Sequence, residues 1–111
     1  MAFAAGTIDK VVTYLGYAYT NEDLDYVQAA LDAVEALTDT TTSANAITRI
    51  EAALTRLDAI ETALDTQTTT EGSTLLTPLR YEGRRHVAQV ARSLALEIRN
   101  DHFASSGAET L

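Results

Sequence analysis

The sequence contains no cysteine. Disulfides and thiolate metal sites are thereby excluded, and the fold must hold by packing alone. Proline occurs once and glycine five times, so few positions interrupt a helix. The abundance of Ala, Leu, Thr and Asp suits an all-α domain with threonine-rich connections. Positive charge is scarce as well: eight Lys and Arg against sixteen Asp and Glu leave a net charge of -8. Generic binding to nucleic acid or to an anionic membrane needs a cationic surface, and this balance argues against both. No apolar run approaches membrane-spanning length, and the opening MAFAAGTIDK lacks the basic n-region of a signal peptide, so a soluble chain is expected.

What is present is unevenly distributed. Residues 1–71 carry twelve acids and three bases, whereas residues 72–111 carry four acids and five arginines. The chain is electrostatically two-part. Its 111 residues suffice for one core, which at this size buries roughly two-thirds of the unfolded surface.

Taken in order, Thr7 is a plausible N-cap for a short helix in which Ile8, Val11, Val12 and Leu15 share a face and Gly16 is the stop. Tyr14, Tyr17 and Tyr19 crowd its exit, either as packing in the turn or as interface anchors. Thr20 and Asn21 can cap a second helix over 22–37, whose seam is Leu24, Val27, Leu31 and Val34. The run TDTTTSAN, 38–45, is poor in helix formers and reads as a solvated connection, with Thr42 or Ser43 capping the next helix. That helix, 45–65, carries the strongest period in the chain: Ile47, Ile50, Leu54, Leu57, Ile60 and Leu64. The segments QAALDAVEAL and EAALTRLDAI are similar, which reflects two amphipathic helices and not a solenoid repeat.

Residues 66–77 read as a second threonine-rich loop, with Leu75 and Leu76 tucked against the core. Pro78 suits the first turn of a last helix capped by Thr77. The stretch YEGRRHVAQVARSLALEIRN, 81–100, reads as a long basic helix with Gly83 as its weak point. Val87, Val90, Ala91, Leu94 and Ile98 line its apolar face, and Arg85, Arg92 and Arg99 recur every seven residues on another. The expected fold is an all-α bundle of about four helices over 1–103, with helices near 22–37, 45–65 and 84–100 as its core. Residues 104–111 are expected as a tail or a partner-ordered arm.

No constellation carries catalysis. Glu82 and His86, and Asp101 with His102, lack a complete ligand set at a recognised spacing, so no metal and no cofactor is expected. The serines have no nucleophile context. Arg84, Arg85, Arg92 and Arg99 have two readings, pairing within the domain or docking on an acidic neighbour.

The order of features, TIDKVVTYLGY, then NEDLD, then LDYVQAALDAVEAL, a middle amphipathic helix and an arginine-bearing last helix, resembles the head–tail connector proteins of tailed bacteriophages. The resemblance covers about residues 7–103. It implies a non-enzymatic adaptor in the virion neck, assembled as a dodecameric ring. Such a ring joins the portal protein to tail-completion or tail-terminator components, while DNA passes through its channel without specific binding. In that family the C-terminal helix and tail commonly reach the portal, so the resemblance makes Arg84, Arg85, Arg92, Arg99 and Phe103 the candidate partner contacts. The other reading of the same residues is a small helical regulatory or chaperone-like module that binds one soluble partner.

Overall fold

The structure, a computed structural model, describes the backbone of residues 2–70 and 76–103, and the side chains of residues 2–65 and 78–103. Its elements among these residues are four helices: α1 (Thr7–Leu15), α2 (Asn21–Glu35), α3 (Thr40–Thr70) and α4 (Leu76–Leu94). The class is all-α, as composition and periodicity predict. At about 1.5 Å per residue α3 runs roughly 46 Å, and it sets the 48 Å long axis of the molecule. The bundle is built on this helix.

Burial follows the apolar periods. Ile47, Ile50, Leu54, Leu57 and Ile60 of α3 face Val87, Val90, Ala91 and Leu94 of α4, with Val27, Leu31 and Val34 of α2 and Val11, Val12 and Leu15 of α1 completing one core. The pairing of α3 with α4 is antiparallel, because Arg56 meets Glu82 while Arg49 and Gln89 border the same groove further along.

Helix ends depart from the sequence expectation for identifiable reasons. The N-cap of α1 is Gly6 in the left-handed region at φ 87°, and Thr7 is the first helical residue. Its hydroxyl is buried and donates to the Ala4 carbonyl at 2.8 Å. Thr20 caps α2 as expected, accepting from the Asp23 N–H at 3.2 Å. The connection to α3 is much shorter than 38–45. Asp39, and neither Thr42 nor Ser43, caps α3: its carboxylate accepts from the Thr41 N–H and the Thr42 hydroxyl. The Thr42 hydroxyl first, and the Thr41 N–H after it, hold the Asp39 carboxyl below its ordinary pKa. Ser43 lies inside the helix, where its buried hydroxyl donates to the Val34 carbonyl at 2.8 Å and ties the end of α2 to the start of α3. Threonines that disfavour a helix alone are thus carried into one by a cap and a buried hydrogen bond.

The backbone of α3 continues to Thr70, so part of the expected second loop is helical. The expected tuck of Leu75 and Leu76 lies outside the described side chains. Helix α4 starts at Leu76, which makes Pro78 its third residue and still within the first turn, where no intrahelical N–H bond is lost. It passes through Gly83 without a break.

The expected long helix to residue 100 ends instead at Leu94. Ala95 takes the left-handed conformation at φ 57°. The Ala95 N–H reaches the Arg92 carbonyl at 3.2 Å and the Leu96 N–H reaches Ala91 at 2.9 Å, the paired bonds of a Schellman stop. Leu96 is buried where the helical stripe would have used Ile98, which is exposed. Alanine strains this conformation by roughly 1–2 kcal/mol, so Ala95→Gly is expected to stabilise the fold by about 1 kcal/mol. Urea denaturation checks this, and a lower midpoint would mean the stop is held some other way.

Residues 95–103 then form a strap across the end of α1. The Arg99 and Asn100 N–H groups donate to the Leu15 carbonyl at 2.9 and 3.1 Å, and the His102 N–H donates to the Tyr14 carbonyl at 3.2 Å. Two carbonyls that a helix end leaves without partners are satisfied in this way. The Tyr17 hydroxyl donates to the Glu97 carbonyl at 2.6 Å. Tyr14 and Tyr17 are therefore packing residues, the first of the two sequence readings, whereas Tyr19 is 67% exposed.

Beneath the strap the Tyr14 hydroxyl donates to Asp58 at 2.5 Å and to Glu61 at 3.2 Å. Burial, reinforced by these carboxylates, pushes the Tyr14 phenol far above its ordinary pKa. Partial burial of Asp58 pushes its carboxyl up, but the Tyr14 and Lys10 hydrogen bonds and the Lys10 charge outweigh that and leave it lowered. A lowered folded-state pKa stabilises the fold above the unfolded value of about 3.9 and loses that contribution as pH falls through the folded value. The stability gap between wild type and Asp58→Asn is therefore expected to be full near neutrality and to close on acidification. Urea midpoints across pH check this; a pH-independent gap would contradict it.

Candidate functional site

Among the described residues, three cations are consumed within the chain. Lys10 pairs with Asp58 at 2.9 Å, Arg56 with Glu82 at 2.8 Å, and Arg99 with Asp23 at 3.1 Å. Arg99 also meets Glu97 at 3.2 Å and lies over the Tyr17 ring at 4.5 Å and the Tyr26 ring at 5.6 Å. It does not continue the α4 stripe, because the helix has already ended at Leu94. Phe103, another candidate partner contact, is 3% exposed. Its ring stacks on Tyr14 with centroids 5.8 Å apart and packs against Gly83 of α4. The structure thus gives Arg99 and Phe103 intramolecular work.

The remaining candidates stay together. Helix α4 buries Gly83, Val87, Val90, Ala91 and Leu94, and at 100° per residue the opposite side presents Tyr81, Arg84, Arg85, Ala88 and Arg92. All five are exposed, and Tyr81 is 62% exposed. Arg84, Arg85 and Arg92 have no ion-pair partner among the described residues. Tyr81, Arg84 and Arg85 line one shallow depression. Sequence reading found the three arginines and missed Tyr81 as their companion. The available signal was its four-residue spacing from Arg85 on the side away from Val87.

A second depression lies in the groove between α3 and α4, lined by Arg49, Ala52, Ala53, Arg56, His86 and Gln89. His86 Nε2 stands 3.6 Å from Glu82, which is itself engaged by Arg56. The Arg56 hydrogen bonds are the largest cause holding the Glu82 carboxyl below its ordinary pKa. His86 Nδ1 is buried without a hydrogen-bond partner among the described residues. His102 Nε2 is engaged by the Glu61 carboxylate at 2.9 Å. Among the described residues no three His, Asp or Glu side chains are grouped for a metal ion, and no helix is long and apolar enough to cross a membrane.

Chemically, the α4 ridge offers planar, permanently charged donors beside an amphipathic ring, the combination that recognises carboxylates on a protein surface. The fold and this ridge define a small all-α protein with one cationic helix face turned outward. No protein-family model, curated protein or solved structure matches the chain.

Proposed function

We propose that this protein is a structural adaptor without an active site, working through protein–protein contact in the neck of a tailed bacteriophage virion. In this reading a ring of copies joins the portal protein to tail-completion or tail-terminator components, and DNA passes through without specific binding. One observation carries the contact role: on a chain of net charge -8, the α4 face keeps Arg84, Arg85 and Arg92 exposed and without an ion-pair partner among the described residues, while Lys10, Arg56 and Arg99 are neutralised internally. Exposed like charges on one face add nothing to folding, and they orient and accelerate docking on an acidic surface. The order of elements, a short opening helix, a second helix with acids in its first turn, a long middle helix and an arginine-bearing last helix, supports the neck adaptor within that class.

The test is native mass measurement with peptide identification on complexes purified through the tagged chain from its source lysate. A large ring carrying a portal-type or tail-completion protein is expected. A one-to-one complex with a single soluble protein would overturn the neck assignment in favour of a regulatory or chaperone-like binding module.

A further inference from the structure

The molecule carries a second charged ridge. Helix α2 buries Val27, Leu31 and Val34, so its outward side presents Glu22, Asp25, Ala29, Asp32 and Ala36, all exposed. Glu22 and Asp25 have no partner among the described residues, and Asp32 receives only the Gln28 amide at 2.9 Å. Other acids behave differently: Asp23, Glu35, Asp39, Glu51, Asp58, Glu61 and Glu82 each accept a hydrogen bond that holds the fold. Among the described residues, Glu22, Asp25 and Asp32 of α2 and Arg84, Arg85 and Arg92 of α4 are two groups of like charge that no ion pair engages.

Their spacing matches. Asp25 and Asp32 are seven residues apart on α2, as Arg85 and Arg92 are on α4, which places each pair about 10.5 Å apart along its helix. Ala29 stands between the acids and Ala88 between the arginines, both exposed. Small residues at the centre let two helices approach to roughly 8–10 Å, so both charge pairs can close in one register. Each ridge points away from the core that both helices share, so one copy cannot close the pairs on itself.

We propose that the partner of the α4 ridge is a second copy of this chain: α4 of one copy docks on α2 of the next, Arg85 and Arg92 against Asp25 and Asp32. The two surfaces differ, so the contact is heterologous and propagates head to tail, closing into a ring where the rotation per step allows. This rests on the adaptor reading and supplies its subunit interface.

The experiment is sedimentation velocity at rising concentration on three chains: wild type, an α4 reversal (Arg85→Glu with Arg92→Glu) and an α2 reversal (Asp25→Arg with Asp32→Arg). Circular dichroism and urea midpoints establish that each variant is folded. Wild type is expected to assemble beyond a dimer, and each reversal alone to weaken assembly by at least tenfold. An equimolar mixture of the two reversals restores assembly, because each glutamate ridge then meets an arginine ridge on the other variant. A monomeric wild type, assembly that stops at a dimer, or a mixture that stays dissociated overturns the proposal. A portal-bearing ring from the source lysate together with a dissociated mixture leaves the adaptor reading standing and removes this interface. Restored assembly without any portal-type companion keeps the interface and removes the neck assignment.

Discussion

Replacing Gly83 with alanine is expected to destabilise this protein, although the same change inside an exposed helix stabilises by about 1 kcal/mol. The reason is the Phe103 ring. A Cβ built at Gly83 stands 2.6 Å from its Cγ, 2.8 Å from Cδ2 and 3.0 Å from Cδ1, closer than carbon atoms tolerate. The ring cannot simply swing away, since Tyr14 stacks on it and the Phe103 N–H donates to Asp101 at 2.9 Å. Alanine at 83 therefore expels Phe103 or displaces the strap. Phe103→Ala alone is expected to cost about 3 kcal/mol, the low end for a buried phenylalanine, because the site lies at the edge of the core. In that background Gly83→Ala meets no ring and becomes stabilising. Urea denaturation of the two single variants and the double variant reads the sign reversal directly. Gly83→Ala stabilising in both backgrounds would contradict the packing account.

The second large effect is expected at Gly16. Its φ is 83°, and an added Cβ would lie 2.4 Å from the Asn100 carbonyl oxygen and 2.5 Å from the Asn100 N and Cβ. Gly16→Ala therefore combines left-handed strain of roughly 1–2 kcal/mol with loss of the strap bonds from Arg99 and Asn100 to Leu15, each contributing about 0.5–1.5 kcal/mol. The total expected is about 2–5 kcal/mol. Gly6 is the control, because its φ is 87° and nothing lies within 4 Å of its added Cβ. Gly6→Ala should show the conformational strain alone. Thermal melts of both variants check the difference, with hydrogen exchange at the Arg99 and Asn100 amides reporting release of the strap. Equal losses at the two glycines would show that the strap does not bear on Gly16.

These glycines also show where sequence reading stops. The core stripes of α2, α3 and α4 are legible because burial on one side imposes a 3.6-residue period, and Val27, Ile50 or Val90 carry that period in their identity. The start of α3 is not legible in the same way. Composition sees disfavoured threonines, whereas the outcome depends on the Asp39 cap and on the Ser43 hydroxyl finding the Val34 carbonyl. At the end of α4 the usual glycine stop is missing, and Ala95 adopts the left-handed turn because the following strap gains α1 carbonyls, Phe103 burial and the Arg99 stack. Gly83 looks locally like a weak point in a helix. Its meaning comes from a residue twenty positions later.

The candidate site divides along the same line. Arg85 and Arg92 were legible as one face because α4 is regular through both positions, and Arg84, a candidate contact beside them, is exposed there as well. Arg99 was placed by extending that helix past its real end and Phe103 by the resemblance; after the turn at Ala95, Arg99 pairs with Asp23 at the surface and Phe103 is buried. The charge asymmetry between the two parts of the chain therefore has two origins: part of it closes the bundle through Arg99 and its Asp23 pair, and part remains outside on α4.

Equilibrium unfolding of Arg92→Glu beside Arg99→Glu tests this division most directly. Arg92→Glu is expected to leave stability within about 0.5 kcal/mol of wild type, as for a surface change away from any paired group. Arg99→Glu is expected to lower the unfolding midpoint clearly below that of Arg92→Glu, through loss of its ring stacking and of the Asp23 pair. A substantial loss at Arg92 would contradict the account, because the α4 face would then be holding the fold instead of facing a partner.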